Sequence, residues 1–222
     1  MGSIITVSST KGGVGKTSLC IVLAANLAAR YRVSVIDADR NQSFSAWHSH
    51  AYEGSRIEVV SEVDHIRVVD LASSLAATHD VVLVDTAGFE NLTAASAIGM
   101  ADHVLIPCMA DRASVRETMR TARQVASLAK AARRDIPSSI LLSRWRPRGL
   151  SEKAAIDSLS EEGLPMLRTA LTDSAEYTKL SFSGSVPTTG KVGMAAEGII
   201  AELVAKGAIP ASVGRGKAAE AA

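Results

Sequence analysis

An α/β fold, with a mostly parallel, twisted sheet and helices on both faces, is predicted by three observations. Short apolar runs alternate with amphipathic stretches along the chain, the rhythm of strand–helix–strand units. The core must be built from Ala, Val, Ile and Leu, because 47% of the residues are hydrophobic but only 4% aromatic. Such residues suit helices laid on a buried parallel sheet. Finally, a glycine-rich turn joins the first apolar run to the first helical pattern.

Each element follows in order. Ile4 to Ser9 reads as the first strand. Thr17 to Arg30 reads as a helix whose apolar stripe is Leu19, Val22, Leu23 and Leu27. Val33 to Asp37 is a short strand ending in Asp37-Ala38-Asp39, and Ser43 to Tyr52 is helical. Ile57 to Val60 is a strand. Ile66 to Thr78 is a helix with Val68, Leu71 and Leu75 on one face. Val81 to Asp85 is the clearest buried strand, four apolar residues and then an acid. Leu92 to Met100 is a helix, His103 to Cys108 a strand, Ala113 to Arg134 a long helix and Ser139 to Leu142 a strand. Ser151 is placed to cap a helix running to Glu162. Pro165 to Ala170 reads as a short strand, Ser174 to Phe182 as a helix and Gly193 to Lys206 as a final amphipathic helix.

The 222 residues suffice for one sizeable core, so a single domain is expected over 1–207, with a flexible tail over 208–222. A net charge of +1 means that any nucleic-acid binding must come from a local patch. Cys20 and Cys108 make no disulfide framework and read as buried thiols. No apolar run approaches membrane-spanning length, and no leader precedes the first strand, so a cytoplasmic protein is expected. Met1 to Thr6 fits a myristoylation pattern, but the first strand leaves almost no free arm. Asn41-Gln42-Ser43 and Asn91-Leu92-Thr93 fit glycosylation acceptors, which mean nothing in a cytosolic chain. His48 and His50 are two apart on a helix and do not face one another, so they make no metal site.

The turn carries the chemistry. Ser9-Thr10-Lys11-Gly12-Gly13-Val14-Gly15-Lys16-Thr17-Ser18 lies between a strand and a helix start, the context a phosphate-binding loop needs. Glycines let several backbone N–H groups converge on one anion, and the helix N-terminus adds partial positive charge. Lys16 can reach the β- and γ-phosphates, and Thr17 can offer its hydroxyl to Mg²⁺. Gly12, Gly13, Val14, Gly15 and Ser18 complete the cradle. The general pattern wants glycine where Thr10 stands; a second lysine, Lys11, follows it. Three acids end strands at the edge where ligands of α/β sheets bind: Asp37, Asp39 and Asp85. Thr17 and acids at this edge such as Asp85 can supply the hard oxygens that Mg²⁺ wants. Thr86-Ala87-Gly88 after Asp85 reads as a switch that sets a backbone glycine near the γ-phosphate.

Lys-Gly-Gly-Val-Gly-Lys-Thr resembles the deviant Walker A motif of the ParA/MinD group of P-loop ATPases. Asp37-Ala38-Asp39-Arg40-Asn41-Gln42 is similar to that group's D-x-D-P-Q stretch, with Arg40 in place of the proline. The compact layout, with segments such as Ser139 to Arg144, Leu167 to Ala170 and Glu176 to Phe182, resembles the short type Ib, ParF-like partition ATPases. The resemblance implies a P-loop NTPase fold, an ATPase reaction and ATP with Mg²⁺ as cofactors. It implies Lys11, Lys16 and Asp39 as catalytic residues, Asp39 acting on the attacking water, and Asp37 as an acid near the metal with Thr17 and Asp85. It also implies an ATP-dependent homodimer in which Lys11 crosses to the partner's phosphates. Non-specific nucleoid DNA and a small centromere-binding, ParB-like protein would be the partners.

A surface for DNA is offered by the long helix, where Arg112, Arg116, Arg120, Arg123, Lys130 and Arg134 recur at helical spacing with Arg133 beside them. Val115, Ala122, Val125 and Ala129 form a separate apolar face. The loop Arg144-Trp145-Arg146-Pro147-Arg148 is the second candidate. Arg116, Arg120, Arg123, Arg144, Arg146 and Arg148 would meet phosphates in a salt-sensitive way; the competing reading is a solvated surface. A protein cargo is an open alternative. A MinD-like membrane cycle is disfavoured, because Ala208 to Ala222 has Pro210, two glycines and no Phe, Trp or Leu. A metal-cluster carrier would want a cysteine pair at ligand spacing.

Overall fold

A computed structural model of the chain describes residues 1–88, 91–180 and 182–211. Six strands form one sheet: β1 (Ser3–Val7), β2 (Val33–Ala38), β3 (Ile57–Ser61), β4 (Val81–Thr86), β5 (His103–Cys108) and β6 (Ser138–Leu142). Their order is β3-β2-β4-β1-β5-β6, and every pairing is parallel. The helices are α1 (Lys16–Ala28), α2 (Ser43–Ala51), α3 (Arg67–Thr78), α4 (Leu92–Met100), α5 (Arg112–Ala132), α6 (Leu150–Glu161), α7 (Ala175–Leu180) and α8 (Gly190–Ala205). The α/β fold expected from the alternation is the one observed.

Successive strand residues point to opposite faces, and here both faces are apolar. Ile5, Val7, Val35, Leu83, Leu105 and Leu141 pack with α1, α2 and α8. On the other face Ile4, Ile36, Val82 and Val84 meet α3 and Ala97 of α4, while Val104, Ile106 and Ile140 meet α5 and α6. The stripe of α1 (Leu19, Val22, Leu23, Leu27) is fully buried. Cys20 and Cys108 are buried free thiols, and Trp145 is buried under its loop.

Two local expectations fail for identifiable reasons. Residues 165–170 do not form a strand; only Met166 bridges to Ile140. The chain runs beside β6, with Leu167 N donating to Ile140 O and Leu171 N to Leu142 O. Between them the N–H groups of Arg168 and Thr169 are taken at 2.8 Å by the Glu202 carboxylate of α8, so the ladder is broken by a side chain. Ser151 does not cap α6 either. The cap is Gly149, without a side-chain bond, and Glu152 in the first turn accepts from Arg146 N. At the C-terminal end, Ala208 and Ile209 are buried against the core, and Tyr31 donates its hydroxyl hydrogen bond to Pro210 O. The expected tail beyond residue 211 lies outside the described residues. Among the described residues no helix is long and apolar enough to cross a membrane.

Candidate active site

The register of the parallel strands brings the site together. β1 and β2 both pair with β4, placing Val7 and Asp37 opposite Asp85. The loop after β1 therefore opens at the same edge as the strand-end acids. Its turn depends on two glycines with left-handed backbone, Gly13 (φ 75°) and Gly15 (φ 94°), a region closed to most side chains. Gly15 caps α1 with no side-chain hydrogen bond, and α1 carries no acid in its first turn. Its N-terminal N–H groups are thus left for an anion.

A cavity of about 430 Å³ opens over this loop. Gly12, Gly13, Gly15, Lys16, Thr17 and Ser18 line one side, and Asp39, Asn41, Gly88 and Arg144 the other. A second cavity of about 440 Å³ continues from Val14, Gly15 and Ser18 to Arg144, Asp173 and Tyr177. Lys16 is buried, and its ammonium donates to Ser9 O at 3.4 Å and Lys11 O at 3.2 Å. Burial lowers its pKa, opposed by the charges of Asp85 and Asp39. Gly88 is pressed onto the loop: a Cβ there would meet Gly12 Cα at 2.7 Å and Lys16 Nζ at 3.2 Å.

The three strand-end acids differ. Asp85 is fully buried, and among the described residues neither carboxylate oxygen makes a well-formed hydrogen bond, the nearby Thr17 hydroxyl included. Burial pushes its pKa up to about 7, against the pull of the Thr17 hydroxyl and the Lys16 ammonium. Such an orphaned acid suits a hydrated cation, and the all-oxygen set of Thr17, Asp85 and Asp37 fits Mg²⁺. Asp37 is more committed, accepting from Asp39 N at 3.3 Å and Ser45 N at 2.8 Å. Asp39 lines the cavity over the loop and, among the described residues, accepts a local bond from Asn41 N. Arg40 instead points the motif's departure elsewhere: it lines a separate cavity with Val63, Ala87 and Leu92.

Lys11 is not in the phosphate cavity. Its ammonium lies 2.8 Å from Asp111 Oδ1, 2.9 Å from Oδ2 and 2.8 Å from Ser114 Oγ, at the start of α5. Burial would raise the Asp111 pKa, but the Lys11 and Ser114 bonds outweigh it and hold the carboxyl at about 2.

The six arginines expected to meet DNA fall into two groups, three on α5 and three on the loop after β6, and most are engaged. Arg116, Arg120 and Arg123 are exposed on α5, but the first two share Glu117 and the third pairs with Glu162 at 3.2 Å. Arg146 pairs with Asp173 at 2.6 Å. Arg148 is exposed at a turn with φ 74°. Arg144 is exposed and lines both nucleotide-side cavities. Arg134 donates instead to the carbonyls of Gly99 and Ala101.

Several contributors escaped the sequence reading: Asp111, which caps α5, Ser114, Glu117 and Thr121 on α5, Ser143, whose hydroxyl donates to Val14 O, and Tyr177. One signal was available. Ser114, Thr118 and Thr121 recur at helical spacing, and all three are buried.

Fold and site together define a ParA-type P-loop nucleotide-binding protein with the deviant, two-lysine loop. The chain belongs to the VirC1 protein family, whose model matches residues 2–191. It is 26% identical over 187 residues to the protein ParA of Rhizobium radiobacter, covering 82% of this chain and 84% of the relative. It is 28% identical over 193 residues to the protein virC1 of the same organism, covering 84% and 83%. It is 25% identical over 182 residues to the maintenance of carboxysome distribution protein A of Halothiobacillus neapolitanus, covering 81% and 84%. In fold it is similar to the ATP complex of Cyanothece McdA, with TM-score 0.79, 18% identity and coverage of 93% and 96%. The Mg-ADP complex of MinD from Pyrococcus horikoshii gives TM-score 0.71, 18% identity and coverage of 95% and 100%.

Proposed function

We propose that this chain is an Mg²⁺-dependent ATPase of DNA partition, of the short type Ib layout, that dimerises on ATP, binds non-specific DNA on the nucleoid and is stimulated by a small ParB-like partner. The observation that carries the reading is one cavity bounded by the glycine-rich loop, Asp39 and Gly88, with Lys11 held outside it by Asp111. ATP- and Mg-ADP-bound relatives of the same fold support the choice of ligand.

In this reading the Gly12–Thr17 backbone and Lys16 hold the β- and γ-phosphates, and the second cavity takes the nucleoside. Thr17 and Asp85, with Asp37 behind them, would hold Mg²⁺, which supplies charge neutralisation at the phosphate oxygens. Asp39 orients the attacking water and accepts its proton. Gly88 offers its backbone N–H to the γ-phosphate. Lys11 exchanges Asp111 for a partner subunit's phosphates, adding positive charge where the transferring group develops negative charge.

The test is ATP-dependent binding to a random-sequence duplex across a salt series. Binding with ATP but not ADP, with a slope that flattens on neutralising Arg116, Arg120 and Arg123, is expected. Nucleotide-independent or absent binding would favour the second reading, an ATPase that positions protein cargo, which the carboxysome-distribution relative supports.

A further inference from the structure

Thr10 stands where the general phosphate-loop pattern has glycine, and its side chain is engaged. Its hydroxyl donates to Glu117 Oε2 at 2.8 Å and lies 3.3 Å from Thr121 Oγ1. Its backbone N–H donates to Thr121 Oγ1 at 3.2 Å, and the Thr121 hydroxyl donates in turn to Glu117 O at 2.8 Å. The start of the loop is therefore fastened to the second and third turns of α5. Glycine could make none of the side-chain bonds.

Glu117 is the only acid within α5, and its carboxylate serves two sides. Oε2 accepts from Thr10, while Arg116 Nε lies 3.5 Å from Oε1 and Arg120 Nη1 4.0 Å from Oε2. The carboxylate side chain is 19% exposed, whereas the two arginines are 78% and 59% exposed. One largely enclosed anion thus sits between the phosphate loop and two solvent-facing guanidinium groups.

We infer that Glu117 is a positioning residue for the phosphate loop, acting through Thr10, and that it couples the nucleotide site to a polyanion bound at Arg116 and Arg120. Phosphates that engage those guanidinium groups withdraw them from Glu117 and leave its charge to Thr10 alone. A charge-assisted hydrogen bond strengthens when its acceptor is less shared. By linkage, ATP then changes polyanion affinity by the same factor as the polyanion changes ATP affinity. The coupling half rests on the proposed DNA binding; the positioning half does not.

The experiment uses the full chain and reads Mg-ATP affinity, KM and kcat with and without a saturating random-sequence DNA duplex. Thr10→Val should raise the Kd and KM for ATP about three- to tenfold with kcat changed less than about twofold, and Thr10→Ser should restore them. Thr10→Val with wild-type Kd and KM, or Thr10→Ser as impaired as Thr10→Val, overturns the positioning role. Glu117→Gln keeps an amide oxygen for Thr10 but discharges the shared site. It should weaken DNA-free ATP affinity, though less than Thr10→Val does, because the charge-assisted bond becomes a neutral one, while the DNA-dependent change in that affinity falls to near one. A full DNA-dependent change in Glu117→Gln overturns the coupling. A wild-type chain that does not bind the duplex overturns the coupling and the DNA reading together, and the Thr10 variants still decide the positioning role. Thermal melts of each variant separate these outcomes from loss of fold.

Discussion

The Lys11 ammonium and the Asp111 carboxylate form an ion pair at 2.8 Å, with side chains 27% and 43% exposed. The second lysine of the deviant phosphate-loop motif is thereby held on the N-terminus of α5, away from the cavity its neighbours line. Partial exposure limits such a pair to about 1 kcal/mol or less. That is weak enough for a phosphate group to replace.

Asp111→Asn removes the charge and keeps an acceptor for the Ser114 N–H that Asp111 caps at 2.9 Å. The ATP concentration giving half-maximal dimer should fall by up to about fivefold. Light scattering against ATP concentration measures this, and an unchanged midpoint would mean that the clasp does not hold Lys11 back.

Lys16→Ala should weaken Mg-ATP binding by at least about tenfold, because a charge-assisted contact is lost. Asp39→Ala should retain ATP and lower turnover by about 10²–10⁴, the range for losing a positioned base. Calorimetry and steady-state turnover separate the two. Normal turnover in Asp39→Ala would remove that residue from the mechanism.

Gly88→Ala brings a Cβ within 2.7 Å of Gly12 Cα and 3.0 Å of Gly12 N. Both are backbone atoms, so one loop must shift. The variant should keep its melting temperature within a few degrees while ATP affinity falls by about tenfold or more. An intact affinity would show that the two loops slide past one another freely.

Asp85 should impose a pH dependence of known sign. Its pKa rises from 3.8 unfolded to about 7 folded, so between these values the folded chain holds a proton that the unfolded chain has released. Its contribution to stability is therefore present on the acid side and lost as pH rises through about 7. Mg²⁺ requires the ionised form, so the thermal shift produced by Mg-ADP should grow between about pH 6 and about pH 8. Asp85→Asn should abolish both trends in paired melts.

His103 has the opposite dependence over much of the same range. It is buried beside Ser139, and burial, with a smaller effect of Lys206, holds its pKa down at about 4. Its unfolded form takes up a proton near pH 6.5, so stability should be lost as pH falls from there towards 4, by up to about 3 kcal/mol. His103→Gln should flatten that acid limb in urea titrations at successive pH values.

The apolar runs, the glycine loop and the strand-end acids were legible because each is local. Val81 to Val84 followed by Asp85 needs no partner to announce a buried strand with a charge at its end. Residues 165–170 were not legible in the same way, because Glu202, more than thirty positions away, takes the N–H groups that a strand would need. Arg144 read as part of a basic loop, yet the path after β6 sets it beside the phosphate cavity.

By itself, then, the amino-acid order determined the sheet–helix alternation, the glycine-rich loop and the acids at the strand ends beside it, since periodicity and loop chemistry act over a few residues. Tertiary structure alone decided where Lys11 rests and what Thr10 does. Both depend on α5, about a hundred residues away, being laid against the loop by the pairing of β5 beside β1.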